Sequence, residues 1–299
     1  ANLGSFMSIR LNVRSPFISA AVGLFACAVS SLDAQTASEN YGLVPSWLGQ
    51  GNAAVNGAQA VKDNSCVPTS VANGLSYLDA YQLSLANPSP FTASPNTYAA
   101  VNSLQTQMGT TAAGTSAASA LSGLQSYLSP TGANPAPGVS SWQVGSPLGL
   151  ALSGLLNAND AVQLGILWGS VSGGVFTSAG GGHFVSLDSI NLSSGSGTIG
   201  ILDPWGDGAT HANSSATQES LSVSTVNITG LGNYLQVTYG ITYVGPDYAP
   251  GDTSYAGSGQ TGIIALAQVE AVPEPSTLAM LAAGGFSALL LFRRKASLA

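Results

Sequence analysis

Three residues of this 299-residue chain have the types and order that nucleophilic chemistry needs: Cys66, His183 and Asp203. A thiol becomes a nucleophile when its thiolate is stabilised, a base accepts the proton, and a third group holds that base in one tautomer. From Ser65 to Gln82 the apolar residues Val67, Val71, Leu75, Leu78 and Tyr81 recur at helical spacing. Pro68 is tolerated only in a first helical turn, so Cys66 falls at the helix N-terminus, where unsatisfied N–H groups favour an anion. His183, at the mouth of a strand after Gly180-Gly181-Gly182, supplies the base. Asp203 closes the next strand of the same hairpin and supplies the orienting carboxylate. Register is open at this stage, so Asp207 competes with it.

The elements that must carry these residues fall into two groups. Helices are expected over Ser65–Gln82, Asn96–Gln107, Ala117–Leu128 and Leu148–Leu156. Between the last two, Ser129 to Ser146 is rich in Pro, Gly and Ser and reads as a lobe boundary. After Asn159 the pattern turns to strands: Ala161–Trp168, His183–Asn191, Gly197–Asp203, Ser220–Asn227, Tyr234–Val244 and Ile263–Val269. Ser193-Ser194-Gly195-Ser196 is a hairpin loop between the second and third. Helices followed by antiparallel strands predict an α+β fold in two lobes.

Composition narrows the partners. Charged residues are only 6% of the chain, and Lys62 is the single cation between Glu39 and Glu270, against eleven acidic residues, a net charge of −10. Such a body repels phosphate and lacks the basic footprint of a nucleic-acid binder. The only histidines are His183 and His211, so no Cys/His metal site can be assembled, and no cofactor is implied. His211 lies in a polar loop and is expected to be solvated.

Asn64-Ser65-Cys66 opening a helix, Gly182-His183-Phe184-Val185 opening a strand and Asp203-Pro204-Trp205-Gly206 closing the next resemble papain-like cysteine peptidases, in particular their C39-like bacterial branch. The resemblance implies a two-lobe papain-like fold over residues 35–271, with the nucleophile at the first helix start and an antiparallel sheet after the helices. It also implies Cys66 as nucleophile, His183 as base, Asp203 as orienter and Trp205 as a shield over the His–Asp bond. Such enzymes place an oxyanion Gln about six residues before the Cys, where this chain has Ala60. Gln59 is the expected substitute, followed by Asn64, and Lys62 could serve electrostatically.

Both ends read as addresses. From Met7, Arg10 and Arg14 precede an apolar run from Pro16 to Val29 and then small residues, the pattern of a secretory signal peptide over 7–34. Cys27 lies inside it, which leaves Cys66 as the one thiol of the mature chain. Residues 272–299 comprise Pro273-Glu274-Pro275, an uncharged stretch over 277–292 and Arg293-Arg294-Lys295. Sixteen residues rise about 24 Å as a helix, somewhat short of the ~30 Å hydrocarbon core, a shortfall that snorkelling can cover, and the trailing cations hold that end in the cytoplasm. This tail resembles the PEP-CTERM sorting signal. It implies an exosortase-type partner, export across the inner membrane, a transient anchor through a transmembrane helix, and final placement at the cell surface or in the extracellular matrix.

Together these features predict an exported, surface-sorted cysteine hydrolase acting on peptide or protein substrates. The alternatives are a non-catalytic surface or biofilm-matrix protein, and a transglutaminase-like acyl transferase with the same residue order.

Overall fold

The structure, a computed structural model, describes residues 35–38, 41–86, 89–91, 93–128, 138–143, 156, 159–205, 216–239 and 260–271. The helices are α1 (Gln59–Lys62), α2 (Cys66–Ser84), α3 (Tyr98–Gln107) and α4 (Ala117–Leu128). The strands are β1 (Gln35–Ser38), β2 (Gly138–Gln143), β3 (Ala161–Ser172), β4 (Val175–Ser193), β5 (Ser196–Asp203), β6 (Thr217–Ile228), β7 (Gly232–Thr238) and β8 (Thr261–Ala271).

Every strand pairing is antiparallel, and the order runs β4-β3-β8-β7-β6-β5 before returning from β5 to β4. Six strands therefore close a barrel, with β1 added along β4 and β2 along β8. This overturns the two-lobe papain-like α+β expectation: strand makes up 43% of the structure against 28% helix, and the sheet is a ring. Closure depends on β4. Its nineteen residues pair with β3 over Val175–Ser186 and with β5 over Ser186–Ser193, so one strand completes the circuit. A closed ring removes the edges that an open sheet would have to protect. The segment expected to be a lobe boundary contains β2, paired with β8 from Gly138 opposite Ala271 to Gln143 opposite Leu266.

Alternation along β3 sorts two cores. Val162, Leu164, Ile166 and Trp168 turn into the barrel with Val185, Leu187, Ile199, Ile201, Val237 and Ile264. Ala161 faces the other way, into a helical core built on Val71, Leu75, Leu78, Val101, Leu104 and Leu124. Helix α2 belongs to the second core and is buried along most of its length rather than along one stripe. Small residues let it approach: a Cβ on Gly74 would sit 2.1 Å from Gln163 Nε2. Ser70 Oγ donates to Phe184 O at 2.8 Å, and Ser186 Oγ donates to Ser70 O at 3.1 Å, which bolts the helix to β4.

Among the described residues no helix is long and apolar enough to cross a membrane. The expected transmembrane helix at 277–292 and the signal peptide at 7–34 lie outside the described residues, as do the Pro273, Glu274 and Pro275 of the sorting motif.

Candidate active site

The helix that carries Cys66 starts at Cys66 itself, with Pro68 in its first turn. Ser65 precedes it without capping it: its hydroxyl donates to Val61 O at 2.7 Å and accepts from Gln105 Nε2 at 2.9 Å. The first-turn N–H groups beside the thiol are thus not met by the Ser65 hydroxyl, which at an N-cap position would ordinarily accept from one of them.

His183 comes to this helix end because β4 packs beneath α2, and it sits opposite Ile166 of β3. Its Nε2 lies 2.7 Å from Oδ1 of Asp203, the last residue of β5, and the Cys66 side chain is near enough to raise the pKa of the ring. The structure therefore pairs His183 with Asp203 directly and places Cys66 in the ring's electrostatic neighbourhood. Cys66 is a half-buried free thiol, the His183 side chain is 12% exposed and Asp203 is fully buried. Asp203 also accepts the backbone N–H of buried Trp205 at 2.8 Å, which fixes the carboxylate in its turn.

Electrostatics follow from this packing. Burial works to lower the His183 pKa, but the charge and hydrogen bond of Asp203 outweigh it, Cys66 adds to the lift, and the ring reaches about 10. One face of the ring is also backed by an aromatic side chain. Trp168 stacks on it at 6.4 Å between centroids, and Tyr239 meets Trp168 edge-on at 5.2 Å. The Tyr239 phenol is pushed well above its usual range by burial first, then by Asp203, Glu219 and Cys66.

The expected oxyanion residues point to other work. Gln59 is the exposed first residue of α1, and its Nε2 donates to Asp63 Oδ1 at 2.7 Å. Asn64 Nδ2 donates to Ala60 O at 2.9 Å and Ala112 O at 3.1 Å, while Lys62 Nζ donates to Ala53 O at 3.1 Å. Asp207 and His211 lie outside the described residues. One residue that sequence reasoning passed over is Gln50. It is fully buried, its backbone N–H donates to Pro204 O at 2.8 Å, and its Nε2 donates to Asp63 O at 2.7 Å. The only sequence signal was an amide between two glycines in a polar stretch, far from the position where a glutamine was sought.

The PEP-CTERM protein-sorting motif matches residues 271–295. The match takes in Pro273-Glu274-Pro275 and the apolar stretch and reaches Lys295. This chain is thus an exported, surface-sorted protein bearing the recognition element of an exosortase-type processing enzyme. No curated protein matches the chain. Kinship of residues 35–271 with papain-like peptidases finds no support in these comparisons, and the closed barrel is a different architecture.

Proposed function

We propose that the exported body is a thiol hydrolase that cleaves peptide or protein substrates through Cys66, His183 and Asp203. The observation that carries this reading is the His183 ring, which is held at 2.7 Å by the buried Asp203 carboxylate and has the thiol at the start of α2 among the groups acting on its charge. In the productive form, thiolate faces imidazolium. Cys66 Sγ attacks the substrate carbonyl carbon, and the developing oxyanion is met by the backbone N–H of Cys66. Collapse breaks the C–N bond as His183 passes its proton to the departing amine, leaving a thioester on Cys66. Water then attacks the thioester; His183 takes one water proton, Cys66 leaves, and the acid product is released. Asp203 accepts from the ring throughout and stabilises its charged form without becoming protonated.

The oxyanion role proposed for Gln59 requires its amide to leave Asp63, so the Cys66 N–H is the better supported donor. Surface placement fits a body whose low charge rests on Ser, Thr and Gly. The apolar stretch at 277–292 would hold it at the membrane until the exosortase cuts near Pro273 to Ser276. Hydrolysis of a fluorogenic unfolded protein by the purified body tests the reading. Cys66→Ala should abolish turnover, and His183→Ala should lower it by about 10²-fold or more. Turnover that survives Cys66→Ala would refute it. Intact mass of the surface form, with residues beyond 276 absent, tests the processing step; retention of Arg293 would contradict it.

A further inference from the structure

We infer that Gln50 is a positioning residue that sets Asp203 and His183 against Cys66, a role that rests on the thiol-hydrolase reading. Two chain segments have to be held in register for that chemistry: the end of β5, which carries Asp203, and the turn that delivers Cys66. Gln50 bonds to both. Its backbone N–H takes the carbonyl of Pro204, the residue after Asp203, at 2.8 Å. Its side-chain Nε2 takes the carbonyl of Asp63, three residues before Cys66, at 2.7 Å.

Gln50 is itself held in place by α2 and α3. The Leu48 N–H donates to Asn73 Oδ1 at 2.9 Å, Asn73 Nδ2 returns a bond to Leu48 O at 3.0 Å, and the Gly49 N–H donates to Tyr98 Oη at 3.4 Å. Asn73 belongs to the same helix as Cys66. The strap from Leu48 to Gln50 therefore spans from the nucleophile helix to the acid turn, and its last residue makes the final link.

Packing does not explain the choice of residue. Gln50 is fully buried and its Oε1 has no hydrogen-bond partner. A buried unmet acceptor is costly, and Met would fill a similar volume without it. What Met cannot supply is the N–H that holds Asp63. Loss of that donor would free the 63–65 turn from the end of β5 and let the thiol drift from the ring, while the backbone bond to Pro204 remained.

The test is a double-mutant cycle on the whole body, reading the rate of Cys66 alkylation by iodoacetamide at fixed pH. Gln50→Met should slow alkylation about tenfold, the scale of a small misplacement at a reacting pair. In a His183→Ala background the same change should have no effect, because no pair remains to misalign. Gln50→Leu, an apolar side chain that also lacks the donor, replaces Gln50→Met if that variant does not fold, and the same two results are expected. An unchanged rate on the wild-type background, or an equal slowing on both backgrounds, would overturn the role. If His183→Ala alone leaves the rate unchanged, the thiol-hydrolase reading fails first and this inference falls with it.

Discussion

Replacing Asp203 by Asn should uncouple His183 from its high pKa. The ring is lifted from 6.5 to about 10 although burial pulls the other way, and Asp203 supplies the largest of the raising effects. A lift of that size corresponds to on the order of 5 kcal/mol in favour of the folded imidazolium. The direction of the pH effect follows from proton counts. Between the ordinary 6.5 and about 10 the folded chain holds a proton that the unfolded chain releases, so this contribution is full below 6.5 and is lost as pH rises through about 10. In Asp203→Asn the charge is gone while the burial remains, so His183 should titrate at or below 6.5. Ring Cε1–H signals in histidine-labelled protein report this directly, with His211→Gln for assignment, since the chain has only two histidines. Thermal unfolding should show the same contrast: wild type loses stability between pH 6.5 and 10, and Asp203→Asn shows little of that slope. A wild-type His183 titrating near 6.5, or an Asn variant still titrating near 10, would refute the reasoning.

Two further variants probe how the barrel and helices are held. Gly123→Ala should destabilise although Ala is the better helix former by about 1 kcal/mol: its Cβ would lie 2.6 Å from Met108 Cα, a backbone atom at the end of α3 that cannot swing aside. A loss of roughly 1–3 kcal/mol is expected, read as a fall in Tm by several degrees, and a rise would show that α3 and α4 can separate freely. Glu270, fully buried between Gln163 and Gln268, is pushed well above the usual carboxyl range by burial, which the two amide contacts only partly offset. Its raised pKa means that stability is full below about 4.5 and falls as pH rises towards the folded value. Glu270→Gln should therefore melt higher than wild type at pH 7 and match it near pH 4; equal melting at both would contradict a neutral Glu270.

Local signals survived into the structure where short-range physics governs. Cys66 at the opening of α2 follows from Pro68 and the spacing of Val67, Val71, Leu75 and Leu78, and the helices over Tyr98–Gln107 and Ala117–Leu128 follow from the same periodicity. Asp203 at the end of β5 follows from the hairpin over Ser193–Ser196. Ring closure was not legible, because a strand that pairs with one ring neighbour along its first half and with another along its second has the same alternation as any half-buried strand. Nothing in β4 announces that Ser186 faces both Gln163 and Leu202. The burial of α2 was equally hidden: Ser70, Asn73 and Ser76 look like a solvated face, yet each satisfies its side chain against backbone in the interior. Gln50 was missed for the related reason that its partners, Asp63 and Pro204, are joined only by the tertiary fold.

Cys66 should form a covalent acyl intermediate with help from His183, and p-nitrophenyl acetate tests this in one experiment. Wild-type body should release a burst of nitrophenol equal to the protein concentration and gain one acetyl group, located by peptide mass mapping to Cys66. His183→Ala should acylate at least about tenfold more slowly. Nitrophenol release indistinguishable from that of Cys66→Ala, with no acetyl on the thiol, would contradict the account.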